Sequence, residues 1–182
     1  EEEALVAEPQ KARGRGSQGP RKAGQAQRIT EVNAEDARRM SLQLPELDRV
    51  LGGGVVPGSL VLLGGEPGIG KSTLLLTCAN HLARLGCRVL YVSAEESLSQ
   101  TRLRAERLDA LHDDLFLLSE TSMDVVEKEI KKVQPQALIV DSVQTVYVPA
   151  LESAPGTVAQ IREVTARVMH LAKGKGLSTF IV

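Results

Sequence analysis

The chain has 182 residues, of which 42% are apolar and 25% are charged, and its formal net charge is −1. This balance is typical of a soluble globular protein and argues against a disordered or membrane-embedded chain, whereas a nucleic-acid binder with clustered basic residues stays possible. No apolar run approaches the ~20 residues of a membrane span, and the sequence begins Glu-Glu-Glu, unlike a signal peptide, so we expect a cytoplasmic protein without a membrane partner.

Residues 1–40 contain few large apolar side chains, so we predict a flexible linker or tail there and an ordered domain over residues 41–182. Between residues 11 and 28 the tail has no acidic residue and six basic ones, Lys11, Arg13, Arg15, Arg21, Lys22 and Arg28. Such a segment either follows a phosphate backbone with salt-sensitive affinity or is a solvated linker. The sequence leaves both interpretations open.

From residue 41 onward, apolar segments alternate with helical patterns. Strands are predicted at residues 59–64, 88–92, 115–118, 137–141 and 177–182. Helices are predicted at residues 45–51, 73–85, 97–108 and 124–132, and a last helix carries an apolar stripe of Val158, Ile161, Val164, Val168 and Leu171. Because the strands are apolar throughout rather than alternating, they predict an α/β fold with a mostly parallel sheet and helices on both faces.

The first strand and the helix after it are joined by a phosphate-binding pattern. The segment Gly65-Glu66-Pro67-Gly68-Ile69-Gly70-Lys71-Ser72 has the spacing G-x-x-x-x-G-K-S of a P-loop, and Thr73 continues into the helix. Glycines allow successive backbone N–H groups to face one anion at the positive end of the helix dipole. We predict that Lys71 reaches the β and γ phosphates of ATP and that Ser72 ligates Mg²⁺.

Three acidic residues follow two other strands and would meet the P-loop at the carboxyl edge of the sheet. Asp141 ends the apolar strand 137–141 and suits a Walker B aspartate at the Mg²⁺ site. Glu95 is our first candidate for the base that activates water, with Glu96 as the second, although acids before a helix also favour its dipole. Arg102, on the next helix, is predicted to lie on the adenine face, or else to be solvated.

Several further motifs occur together with the P-loop. They are Leu47-Asp48-Arg49-Val50-Leu51-Gly52-Gly53-Gly54, Pro57-Gly58-Ser59, Val92-Ser93-Ala94-Glu95-Glu96-Ser97, Val140-Asp141-Ser142-Val143-Gln144-Thr145 and Ser153-Ala154-Pro155-Gly156-Thr157. This combination resembles the RecA superfamily of motor ATPases and, within it, the bacterial RadA branch. The resemblance covers residues 41–182 and implies a RecA-like P-loop NTPase fold.

The resemblance also implies a function. Members of that branch are DNA-dependent ATPases of recombinational repair that form hexameric rings on single-stranded DNA, drive branch migration of recombination intermediates and work with the RecA recombinase. In that picture Glu95 matches the catalytic glutamate, Asp141 the Walker B acid, and residues 142–156 the first of two DNA-facing loops. This sequence lacks the four-cysteine zinc finger that precedes the domain in the family and the segments that follow it, and Ala94 replaces a common glycine. We therefore expect a C-terminally truncated fragment.

The loop of residues 142–156 contains no Lys or Arg, so one copy offers little charge to DNA. We expect Tyr147, Gln160 and Arg162 to approach the DNA strand, with a ring summing weak contacts from several subunits.

Two alternative functions use the same P-loop. The first is a nucleotide-gated assembly or timer ATPase with protein partners, and the second is a small-molecule kinase, which is disfavoured by the lack of an arginine-rich lid segment. Stimulation of ATP turnover by single-stranded DNA separates the DNA motor from both.

Overall fold

The computed structural model describes residues 26, 28–31 and 39–182. The chain divides into two units, residues 1–34 and residues 35–182. In the first unit, the described part includes a short 3-10 turn, Ile29–Glu31. Apart from Ala26 and Arg28, the predicted basic segment of residues 11–28 lies outside the described residues.

The second unit alternates helices and strands as the sequence predicts, with element ends displaced by at most two residues. The helices are α1 (Pro45–Val50), α2 (Lys71–Arg84), α3 (Leu98–Arg107), α4 (Met123–Val133) and α5 (Val158–Lys175). The strands are β1 (Leu60–Leu62), β2 (Val89–Ser93), β3 (Leu115–Leu118), β4 (Ala137–Asp141) and β5 (Ser178–Ile181).

The five strands form one parallel sheet in the order β1-β5-β4-β2-β3. Parallel pairing brings all the carboxyl ends to one edge, called here the carboxyl edge. The P-loop after β1, the two glutamates after β2 and Asp141 at the end of β4 therefore meet at that edge. This arrangement confirms the predicted α/β fold with a parallel sheet.

Both faces of the sheet are covered by helices, which explains why the strands do not alternate apolar and polar residues. On one face, residues of α1, α2 and α3 share a buried cluster with Tyr91 and Ile139. On the other face, α4 and α5 pack in a second cluster with Leu138 and Val140. Successive residues of β4 therefore enter opposite cores, and both sets must be apolar.

Local interactions define the ends of α3 and α5. Ser97 forms the predicted capping box with Gln100 at the start of α3, and the Thr157 hydroxyl caps α5. The stripe predicted on α5 is wrong at its first position, because Val158 is 65% exposed in the first turn, whereas Val164 and Val168 are fully buried. None of the helices in the described residues combines the length and the apolar character needed to cross a bilayer.

Candidate functional site

A cavity of about 830 Å³ opens at the carboxyl edge of the sheet. Its wall combines the P-loop and the start of α2 with Glu95 and Glu96 after β2, Asp141 and Ser142 after β4, and Ile161 on α5. Ligand sites commonly have volumes of about 300–1,000 Å³, so this cavity is large enough for a nucleotide. The fold thus places the predicted phosphate, metal and base residues around one space.

The P-loop is shaped for an anion. Gly70 is the N-cap of α2 with a φ of 101°, in the left-handed region, and no side chain caps the first turn of the helix. A Cβ atom placed on Gly68 or Gly70 would meet nothing within 4 Å, so the loop faces open space. N–H groups at a helix N-terminus favour negative charge, and a polyphosphate chain would supply it here.

Lys71 is already held above this loop. Its Nζ donates to the carbonyl oxygens of Gly65 at 2.9 Å and Glu66 at 2.8 Å. The ammonium group therefore lies across the opening of the loop, where it could exchange carbonyl partners for phosphate oxygens. Ser72 is half-buried beside it in the cavity wall, and Thr73 follows on the exposed side.

Asp141 has the buried support that a metal-site carboxylate needs. It is 8% exposed, and its Oδ2 accepts a 2.6 Å hydrogen bond from the hydroxyl of Tyr91. Burial, together with the negative charge of Asp141 and this hydrogen bond, raises the pKa of the Tyr91 phenol, so the group stays protonated and acts as donor. Sequence reasoning missed Tyr91, because its contact with Asp141 depends on the register between β2 and β4, which no local pattern shows.

The two glutamates after β2 have different partners. The Ser142 hydroxyl donates a hydrogen bond to Oε1 of Glu95. The Glu95 side chain is exposed and lines the cavity. The Glu96 carboxylate is half-buried and forms an ion pair with Arg104. Glu96 is thus engaged by a cation, whereas the partner of Glu95 is a neutral hydroxyl.

The structure does not bring Arg102 to this cavity. Arg102 forms an i,i+4 ion pair with Glu106 at 2.9 Å and lines a separate cavity of about 390 Å³. Arg104 and Arg107 line the nucleotide-sized cavity instead. Helix α3 is rotated so that Thr101 and Ala105 are buried and Arg104 and Arg107, rather than Arg102, reach the wall of this cavity.

The three predicted DNA residues differ in how much of each side chain is exposed to solvent. Arg162 is exposed in the first turns of α5, and Tyr147 is half-buried in a backbone bridge with Ser122. Gln160 is fully buried, and its side-chain amide is bonded to the backbone of the loop, so the structure leaves it no exposed surface for DNA. Its visible role is to hold residues 142–156 in place.

The residues present fit a magnesium nucleotide. Within the described residues there is no group of three or more His, Cys, Asp or Glu side chains that could hold a metal by itself. Mg²⁺ is commonly held by one or two protein oxygens together with phosphates and water, and Ser72 and Asp141 supply that number in one cavity.

Comparisons with known proteins agree with this geometry. The family described as "AAA domain" matches residues 25–182. The DNA repair protein RadA of Halalkalibacterium halodurans is 54% identical over 156 residues, which cover 86% of this chain and 34% of that protein. RadA of Bacillus subtilis is 51% identical over 154 residues, which cover 85% of this chain and 34% of that protein. These matches confirm the predicted resemblance to bacterial RadA. The chain spans about a third of the length of these relatives.

Proposed function

The chain belongs to the AAA domain family, and we propose that it is the nucleotide-binding part of a DNA-repair ATPase that hydrolyses ATP with Mg²⁺. The observation that carries the proposal is the convergence of the P-loop, Asp141 and Glu95 on one cavity at the carboxyl edge. Three segments that are distant in sequence supply the phosphate, metal and base groups of that chemistry.

Each group has a distinct task in the proposed reaction. The N–H groups of the P-loop and Lys71 bind the phosphates and place the γ-phosphoryl group near Glu95. Ser72 and Asp141 would hold Mg²⁺, and the ion would supply positive charge to offset the negative charge that develops on the phosphate oxygens. Arg104 and Arg107 line the wall of the same cavity and add positive charge to it.

Glu95 is the proposed base. A base must accept a proton from the attacking water, so its carboxylate must be accessible and not committed to a cation. Glu95 is exposed to the cavity and bonded to the Ser142 hydroxyl, whereas Glu96 is paired with Arg104. Glu96 then serves to position Arg104 in the cavity wall.

The proposed motor acts on single-stranded DNA and branched recombination intermediates. RadA relatives carry the name of DNA repair proteins, and the proposal extends that role to this chain. The loop of residues 142–156 begins in the cavity wall, where Ser142, Val143 and Gln144 lie together with Ile161 of α5. Nucleotide chemistry and movement of this loop would therefore be linked directly.

We further propose a hexameric ring working with the RecA recombinase. The loop has no positive charge of its own, so several copies around one strand are needed to sum weak contacts.

ATP turnover measured with and without single-stranded DNA tests the proposal. We expect Mg²⁺-dependent hydrolysis that rises when DNA is added. Turnover that is insensitive to DNA, but responds to protein partners or to self-assembly, would favour the timer ATPase instead. Absence of nucleotide binding would overturn both.

A further inference from the structure

We infer that Tyr91 is a positioning residue for the metal site: its buried hydroxyl fixes the orientation of the Asp141 carboxylate and thereby sets the affinity of the nucleotide complex for Mg²⁺. This inference rests on the proposed function, and it goes beyond it by assigning a role to a residue outside the P-loop and the acidic strand ends. The observation behind it is the 2.6 Å hydrogen bond from the Tyr91 hydroxyl to Oδ2 of Asp141.

The register between β2 and β4 places Tyr91 and Asp141 close enough for this contact. Tyr91 on β2 lies opposite Ile139 on β4, and Asp141 is two residues further along β4. Side chains two residues apart on a strand share a face, so Asp141 is the diagonal neighbour of Tyr91 on the face covered by α2. The long phenol side chain spans the diagonal, and a shorter side chain at position 91 would not reach.

Packing leaves the Tyr91 ring little freedom. The residue is 1% exposed and lies in the same buried cluster as Leu75 and Leu76 of α2. Helix α2 begins at Lys71 and carries Ser72, the other proposed magnesium ligand, in its first turn. The ring is thus packed with the helix that supplies one ligand while its hydroxyl holds the carboxylate that supplies the other.

The hydrogen bond also gives the two carboxylate oxygens of Asp141 different roles. Among the described residues, the side chain that is hydrogen-bonded to the Asp141 carboxylate is Tyr91, and its hydroxyl donates to Oδ2. Oδ1 is then available to the cavity side, for a magnesium ion or one of its water ligands. Groups that orient a metal-binding carboxylate typically change metal affinity about 10- to 100-fold when they are removed.

The test is the substitution Tyr91→Phe, which removes the hydroxyl and keeps the ring. ADP binding to the full chain is measured by calorimetry over a series of MgCl₂ concentrations, including none. We expect ADP affinity without Mg²⁺ to be unchanged, while the Mg²⁺ concentration that gives half of the maximal enhancement rises about tenfold. A purely structural role would lower the melting temperature and leave this Mg²⁺ dependence as in the wild type.

Thr179→Val is the matched control. Thr179 is fully buried in β5 of the same sheet, and its hydroxyl donates to the carbonyl of Leu177 at 3.1 Å, away from the cavity. This variant also loses one buried hydroxyl hydrogen bond, so it reports the effect of destabilisation alone. We expect its Mg²⁺ dependence to match the wild type.

The possible failures are distinguishable. If the wild-type chain binds no ADP at any Mg²⁺ concentration, the proposed function is overturned together with the role of Tyr91. If the wild type shows Mg²⁺-enhanced binding and Tyr91→Phe shows the same dependence, the role of Tyr91 alone is overturned.

A second measurement needs no folded variant at position 91. The chain has two tyrosines, so tyrosine-labelled protein gives two sets of ring signals by NMR, and the set lost in Tyr147→Phe identifies the other as Tyr91. We expect adding Mg²⁺ to the ADP complex to shift the Tyr91 ring signals. Signals that do not respond to Mg²⁺ would contradict the inference.

Discussion

Gln160 of α5 is hydrogen-bonded to both backbone groups of Val148, across the loop that follows β4. Its Oε1 accepts from the Val148 N–H at 2.8 Å, and its Nε2 donates to the Val148 carbonyl oxygen at 3.3 Å. The same Nε2 donates to the carbonyl oxygens of Leu151 and Ser153 at 3.3 and 2.8 Å. One buried amide thus ties the second half of the loop to the start of α5.

Gln160→Glu should therefore destabilise the fold. The carboxylate can still accept from Val148 N–H, but it loses the donor that satisfies three carbonyl oxygens and places a charge among them. We expect a loss of about 2–3 kcal/mol in the free energy of unfolding, measured by urea denaturation. Gln144→Glu is the matched control, because Gln144 is exposed in the same loop and should change stability by less than about 0.5 kcal/mol. An equal loss of stability in the two variants would contradict the role of the Gln160 amide in holding the loop.

Lys71→Ala should weaken nucleotide binding. The substitution removes the positive charge that lies over the P-loop, and a hydrogen bond to a charged group is worth about 1.5–3 kcal/mol, or roughly 10- to 100-fold in affinity. Calorimetry with ADP and an ATP analogue measures the change. Lys175→Ala removes the same charge from the last turn of α5, at the opposite edge of the sheet, and should bind as the wild type does. Unchanged affinity in Lys71→Ala would contradict the P-loop assignment.

Glu95→Gln should preserve ATP binding and slow hydrolysis about 10²-fold or more, which is the scale of losing a general base. The amide can still accept the Ser142 hydrogen bond but cannot accept a proton from water. Glu96→Gln is the informative comparison, because it weakens the pair with Arg104 and leaves Glu95 intact. If single-turnover hydrolysis falls further in Glu96→Gln than in Glu95→Gln while binding is kept, then Glu96 is the base.

Asp48 should make stability depend on acid pH. Its partial burial favours a higher pKa, but hydrogen bonds from the Leu42 N–H and the Ser41 hydroxyl outweigh this and hold the Asp48 pKa below its ordinary value. A lowered folded-state pKa stabilises the protein above the unfolded-state pKa of about 4, and the contribution is lost as pH falls through the folded-state value.

Asp48→Asn should therefore lower the free energy of unfolding by about 1–2 kcal/mol at pH 7, since the ionised acceptor holds two donors at 2.7 and 2.8 Å. Urea denaturation at several pH values should show the difference from wild type shrinking below about pH 4. Asp113→Asn, at an exposed position, should show neither effect. A constant difference at all pH values would mean that Asp48 acts through packing rather than through its charge.

The sequence predicted the fold well because each signal was local. Apolar strands, the capping box at Ser97 and the P-loop spacing are all properties of neighbouring residues, and they placed every strand and helix found between residues 39 and 182. The site was harder where a contact depends on sheet register or helix rotation. Tyr91 meets Asp141 only through the pairing of β2 with β4, and the rotation of α3 presents Arg104 rather than Arg102. Burial of Gln160 depends on how the loop folds back, which no local pattern encodes.

Arg162 is exposed on α5, next to Ile161 in the cavity wall and two residues from the buried Gln160. Arg162 is not among the residues that line the nucleotide cavity, so its positive charge is not committed there. We therefore keep Arg162 as the proposed DNA contact, acting on Ser142 and Glu95 through the loop of residues 142–156.

Arg162→Ala should lower DNA-stimulated ATP turnover and spare turnover without DNA, because the substitution leaves the P-loop, Asp141 and Glu95 untouched. Turnover is measured across a range of single-stranded DNA concentrations at two salt concentrations, since phosphate contacts weaken as salt rises. Arg88→Ala is the matched control, because it removes an exposed arginine from the position just before β2, at the opposite edge of the sheet. Neutralising the basic residues between positions 11 and 28 should mainly reduce the salt dependence of DNA binding. Equal loss of basal and stimulated turnover in Arg162→Ala would assign that arginine to the nucleotide site or a subunit interface instead.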